Sequence, residues 1–332
     1  MKLKDIAGGL CVTLVTVVVL LGISEIALRA YLQWSLIYDV EMSRYATEIK
    51  EEAANPRIGH VHKPNAAATL MGVPVKINSD GLRDSEYSHE RNGNYRIVFL
   101  GDSLTFGWGV AKSQTFEEIL EAELSRTRPT EIINFGTGNY NTSQEVGLFI
   151  DKGLKYRPDH VVVFYFINDA EPTPRKSNWE FLGRLRIVTF FWSRLKSAVA
   201  SFEHERSYLD YYKGLYGDGQ PGWAAVKKSF QELRDICAAR GITLQVVLLP
   251  ELHVLDNYPF ADQHRKLVAF LKENDIEALD LAPLFARERN PARLWVAPDD
   301  AHPNAIAHAM IAQYSLAFIK EGMNARKAAG ED

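Results

Sequence analysis

Cysteine is scarce in this chain: two in 332 residues, Cys11 and Cys237. That is too few for a disulfide framework or a four-cysteine zinc site. An excess of charge of either sign is also missing. Thirty-eight Lys and Arg face 42 Asp and Glu, leaving a formal net charge of −4. A broad basic surface for nucleic acid is thereby excluded. There is no internal repeat and no low-complexity block. Neither an H-E-x-x-H motif nor a P-loop lysine occurs, so no metal and no cofactor are expected. Gly136-Thr137-Gly138 begins like a dinucleotide-binding turn, but Asn141 stands where the third glycine belongs. His60 and His62 read most simply as a solvated pair in a loop, and the remaining histidines other than His302 as surface or satisfied interior residues.

What is present is a hydrophobic fraction of 46% with 24% charged residues, the makeup of a globular protein with a sizeable core. Near the start, the 18 residues from Ile6 to Ile23 carry no charge, close to the roughly 20 that cross a bilayer's hydrocarbon core. Lys2 and Lys4 precede the run. The positive-inside tendency then keeps the N-terminus cytoplasmic and puts everything after about Leu32 on the periplasmic side of the cytoplasmic membrane. The following SEIALRAYLQW contains no A-x-A-like cleavage site, so an uncleaved single-pass anchor is expected rather than a signal peptide. Its contact with the lipid bilayer covers residues 6–28, with Tyr31 and Trp34 near the interface.

Three regions follow from the pattern: a cytoplasmic tip and anchor over 1–34, a stalk and lead-in segment over 35–90, and an α/β domain over 91–325. In the second, Pro56, Pro64, Pro74 and Gly72 interrupt any long periodicity. In the third, short apolar runs (RIVFL, EIIN, HVVVFYF, ITLQVVLLP, IEALDL) alternate with amphipathic stretches near 115–126, 144–155, 223–240, 261–274 and 303–320. Such alternation predicts parallel strands with crossover helices on both faces, a three-layer α/β/α flavodoxin-like sandwich. An insertion over 170–222 breaks the rhythm. Its stretch WEFLGRLRIVTFFWSRLKSAVASF reads as a lid or core helix ahead of a basic helix lying on lipid.

The chemistry-bearing residues cluster at predicted strand ends. RIVFL runs into Gly101-Asp102-Ser103, which puts a serine outside the carboxyl end of a strand, where ligands of open α/β sheets bind. Taken alone, Ser103 serves equally well as a helix N-cap. Near the other end, Asp299-Asp300-Ala301-His302-Pro303 supplies an imidazole, with Asp299 three residues before it. A serine hydroxyl needs such a base, and the imidazole needs a carboxylate to fix its tautomer. Oxyanion donors are expected from the glycine- and asparagine-rich turn Asn134–Thr142, or from the Asn168 carboxamide in Ile167-Asn168-Asp169.

These blocks, in this order, resemble the SGNH or GDSL hydrolases, and the chain looks like a membrane-anchored bacterial member. The resemblance spans about Ile97 to Ile319. It implies Ser103 as nucleophile, His302 as base and Asp299 as its orienting carboxylate. It also implies an oxyanion hole of the Ser103 N–H, a backbone donor at Gly138 or Asn139, and Asn168. Two positions depart from the family pattern. The family glycine five residues after Asn134 falls on Asn139, and Phe166 replaces the glycine two residues before Asn168. Asn78-Ser-Asp-Gly-Leu-Arg83 resembles a segment of membrane-anchored members and reads as a structural turn with an arginine clamp. The implied activity is serine-dependent ester hydrolysis, and the expected periplasmic address points to O-acyl, chiefly acetyl, esters of envelope or extracellular polysaccharide, or to related lipid or small esters. Acyl transfer to polysaccharide by the same triad is the alternative, and a non-catalytic binding module is the rival from another class.

Overall fold

A computed structural model describes residues 3–31, 36–173, 186–191, 194 and 204–328, which fall into two units. The first comprises residues 1–47 and 176–204, the second residues 48–175 and 205–332. In the first unit a helix runs from Leu3 to Tyr31. Its stretch Gly8–Tyr31 has a mean hydropathy of 2.4 and no burial inside the protein, so it is long and apolar enough to cross a membrane. The hydroxyls of Thr13 and Thr16 donate back to the carbonyls of Gly9 and Val12, which satisfies them without water. Lys2 and Trp34 lie outside the described residues, as does most of the insertion stretch 179–202. Of the latter, residues 186–191 are helical.

The second unit is built on five parallel strands: β1 (Tyr95–Gly101), β2 (Thr130–Asn134), β3 (His160–Tyr165), β4 (Thr243–Leu248) and β5 (Glu277–Asp280). Their order across the sheet is β2-β1-β3-β4-β5, with all four pairings parallel. This is the flavodoxin-like doubly wound order. The connecting helices are α1 (Phe116–Ser125), α2 (Thr142–Asp151), α3 (Pro221–Ala238), α4 (Ala261–Glu273) and α5 (Ala305–Ala328).

Strand side chains alternate between two cores, as the two-residue period of a strand requires. Val98, Leu100, Val161 and Val163 point to one face, where Phe149 of α2, Phe230 of α3 and Leu267 of α4 cover them. Ile97, Phe99, Val162 and Phe164 point to the other, against Phe116 and Leu120 of α1 and Ile311 and Ile319 of α5. A sheet covered on both sides explains why these strands read as unbroken apolar runs.

Residues 48–90 are folded into this second unit, a tighter association than the name stalk suggests. Two antiparallel hairpins, Lys50–Glu52 with His60–His62 and Ala67–Leu70 with Val73–Lys76, occupy the segment. The Asn78–Arg83 turn closes on itself, with the Asn78 carboxamide oxygen accepting from the N–H groups of Asp80 and Leu82. His62 is 2% exposed and its Nδ1 lies 3.2 Å from the carbonyl of Gly81. The expected solvated histidine pair is therefore corrected: the hairpin carries both rings onto the domain.

Candidate active site

β1 ends in Gly101, and the chain turns at Asp102 into a short helix, Ser103–Phe106. Asp102 is the N-cap: its Oδ1 accepts from the Leu104 N–H at 2.8 Å. Ser103, left at the first helical position, has a backbone N–H with no intrahelical acceptor. The turn is clamped from below. Arg83 is 2% exposed and donates to the carbonyls of Phe106 at 2.9 Å, Gly107 at 2.5 Å and Val110 at 2.7 Å. From β2, the Asn134 carboxamide donates to the Thr105 carbonyl at 2.9 Å, and its oxygen accepts from the Gly136 N–H at 2.7 Å. Gly136 has to be glycine here, because a Cβ would sit 2.2 Å from the Phe106 nitrogen.

His302 arrives on a hairpin of Trp295–Ala297 with Asp300–Pro303. The indole N–H of Trp295 donates to the Leu252 carbonyl at 2.9 Å, which ties the hairpin to the loop after β4. On the nucleophile side, Gly109 with φ +76° approaches the same hairpin so closely that a Cβ would meet Val296 at 2.4 Å. These contacts bring Ser103 Oγ within 2.9 Å of His302 Nε2, across 199 positions of sequence.

The carboxylate against the imidazole is Asp300, which corrects the expectation of Asp299. Asp300 Oδ1 lies 2.5 Å from His302 Nδ1 and also accepts the His302 backbone N–H at 3.1 Å. The physical reason is the strand. Residues two apart share a face of an extended chain, whereas residues three apart point to opposite faces. Asp299 lies in the hairpin's turn and is exposed. Because a carboxylate only accepts, Nδ1 carries the imidazole proton, and the lone pair of Nε2 faces the Ser103 hydroxyl. The second oxygen of Asp300 accepts from the buried indole N–H of Trp108 at 2.9 Å. Burial alone would raise the Asp300 pKa, but the bonds from His302 and Trp108 outweigh it and hold the carboxyl below its usual range.

On the opposite side of Ser103, the Asn168 carboxamide donates one N–H to Asp102 Oδ2 at 3.0 Å. Asp102 is fully buried, and burial raises its pKa. Glu145 and Asp169 are also buried; desolvation first, then the charge of Asp102 on Glu145 and of Glu145 and Asp102 on Asp169, push both well above the ordinary carboxyl range. Gly138 is buried and Asn139 exposed in the turn after β2, with Asn139 at φ +65°. Phe166, where the family has glycine, is half-buried and packs against both cores.

The fold therefore gathers Ser103, His302 and Asn168 into one site at the carboxyl ends of β1 and β3 and on the distal hairpin. It leaves Asp299 out. Sequence reasoning passed over Trp108, although its place between two glycines directly after the serine turn is a signal that it packs at the site. It also preferred Asp299 to the neighbouring Asp300, a choice that the strand period reverses. Among the described residues, no cluster of metal-ligating side chains is present.

The sequence profile of the GDSL-like Lipase/Acylhydrolase family matches residues 99–310. No curated protein matches the sequence. Among solved structures, the lipase/acylhydrolase from Enterococcus faecalis is similar at 14% identity and a TM-score of 0.42, covering 68% of this chain and 96% of its own. A two-domain esterase active on acetylated mannans is similar at 16% identity and a TM-score of 0.44, covering 69% of this chain and 50% of its own. The acetyl xylan esterase AlAXEase is similar at 16% identity and a TM-score of 0.42, covering 68% and 99%.

Proposed function

The chain belongs to the GDSL-like lipase/acylhydrolase family, and from that premise we propose that it is a serine esterase in which Ser103, His302 and Asp300 form the catalytic triad. The observation that carries the reading is the unbroken line from Ser103 Oγ through the imidazole to Asp300, with separations of 2.9 and 2.5 Å. In this reading Ser103 Oγ attacks the acyl carbonyl while His302 Nε2 takes its proton, and Asp300 stabilises the imidazolium that forms. The oxyanion meets the Ser103 N–H, the Asn168 carboxamide and a backbone donor at Gly138 or Asn139. His302 then protonates the departing alcohol, and an activated water releases the acyl group from the serine.

The proposed substrates are O-acyl esters, acetyl esters foremost, on polysaccharide of the envelope or outside the cell. This follows from the proposed address: the apolar helix as an uncleaved anchor in the cytoplasmic membrane, with the enzyme on the periplasmic side. Detergent-purified protein treated with a fluorophosphonate probe is expected to carry one label, on Ser103, and the Ser103→Ala variant none. Absence of label on the folded wild type would instead favour a binding module. Incubation with an acetyl ester and a saccharide acceptor separates the two enzymatic versions. Free acetate supports hydrolysis, and acetylated sugar supports transfer.

A further inference from the structure

The hairpin that precedes the catalytic sheet reaches into the turn after β2. Lys50 opens its first strand, opposite His62 in register. The Lys50 side chain crosses 88 positions of sequence to donate from Nζ to the Gly138 carbonyl at 2.6 Å, and it donates to Asn139 Oδ1 at 3.1 Å. His60 Nε2 lies 3.1 Å from the same carbonyl. A carbonyl only accepts, so that nitrogen carries the ring proton. Tyr140, next along the turn, donates its hydroxyl back to the His60 carbonyl, and the Gln144 carboxamide donates to the Ile58 carbonyl at 2.7 Å. The hairpin and the turn are thus stitched at four acceptors.

Burying a lysine amine is costly. Its burial draws the Lys50 pKa down to about 7. Burial and the neighbouring Lys50 charge hold His60 near 3, so the imidazole is neutral and acts as a plain N–H donor. The peptide between Gly138 and Asn139 is trans, which sets its N–H opposite its carbonyl. Fixing the carbonyl toward the hairpin therefore aims the Asn139 N–H away from the hairpin. Asn139 also sits at φ +65°, a backbone state that asparagine tolerates and that the bond from Lys50 to its side chain holds.

We infer that Lys50 is a positioning residue for the reaction: with His60 it locks the Gly138–Asn139 peptide so that the Asn139 N–H is the backbone donor to the developing oxyanion. The inference rests on the esterase reading of Ser103. It assigns a mechanistic duty to a segment outside the family-matched region 99–310.

The test uses the full chain in detergent, an aryl acetate, and an arylboronic acid whose tetrahedral adduct on serine carries an oxygen where the oxyanion forms. Lys50→Met is expected to lower kcat by about 10- to 100-fold, in the range of losing one oxyanion donor or somewhat less. KM should stay within about twofold and boronate affinity should fall in parallel with kcat, because only transition-state interactions are lost. Lys50→Arg should recover part of both. His60→Phe, which removes the second donor and keeps Lys50, should show a smaller loss of the same kind and stands in if Lys50→Met fails to fold. An active wild type whose folded variants keep kcat and boronate affinity, or lose only melting temperature, overturns the inference alone. A wild type inert to both aryl acetate and fluorophosphonate overturns it together with the esterase reading.

Discussion

The two flanks of Ser103 are built on opposite plans. On the proton side, every group is joined to the next by a short bond. Trp108 donates to Asp300, Asp300 holds the imidazole, and the imidazole meets the serine at 2.9, 2.5 and 2.9 Å in turn. The two central members sit two positions apart on one strand. On the oxygen side, the donors come from distant places. Asn168 leans on Asp102 across 66 positions, and the Gly138–Asn139 turn is held by Lys50 from a separate hairpin. The first plan is one continuous chain of bonds that carries its own charge pairing, Asp300 against His302. The second is a set of separate supports, each donor held by a different buried group, Asp102 for Asn168 and Lys50 for the Gly138–Asn139 turn. Proton transfer should thus be sensitive to few substitutions and strongly so, whereas charge stabilisation should be sensitive to many, each less severely.

The sharpest way to break this contrast is at the two aspartates. Asp300→Asn should cost about 10³- to 10⁴-fold in kcat, the order seen when a triad carboxylate is neutralised and the imidazole tautomer is lost. Asp299→Asn, altering an exposed turn residue, should leave kcat within about twofold, and steady-state kinetics on an aryl acetate reads both. A silent Asp300→Asn would mean that the proton side is not organised along the hairpin. On the oxygen side, Asn168→Ala should cost about 10²- to 10³-fold in kcat with little change in KM, as removal of one oxyanion donor does.

The smallest effect concerns stability at the boundary between the flanks. Glu117 is buried and accepts from the Asn134 carboxamide at 2.6 Å, and burial raises its pKa to about 8. An acid whose pKa is higher folded than unfolded contributes stability below about pH 4.5 and loses it as pH rises through about 8. Glu117→Gln should therefore melt close to the wild type at pH 5 and above it at pH 9, in thermal scans at the two pH values. Equal shifts at both would show that Glu117 does not titrate in that range.

Much of this was legible in the sequence wherever the signal was local. RIVFL, HVVVFYF and ITLQVVLLP fall on β1, β3 and β4, because strands covered on both faces must be apolar throughout. Ser103, Asn168 and His302 stand at ends of elements, marked by the glycine, asparagine and proline that such turns need. The error over Asp299 came from counting along the chain as though it coiled through a turn. A strand counts by twos, and Asp300 and His302 lie on one. The arginine clamp read at Asn78–Arg83 is present, with Arg83 donating to three carbonyls of the serine turn. Lys50 was out of reach for a different reason: its partner lies 88 positions away, and nothing in its own surroundings in the sequence signals that it folds against the turn after β2.

The alternation of Asp300 and His302 along one extended segment also constrains how this site can change over time. A single residue gained or lost between them would swing the imidazole to the far side of the ribbon, and no rotamer could bring it back. Neighbouring loops are free to lengthen or shorten around the pocket, but the spacing within this dipeptide step is frozen by the pleat itself.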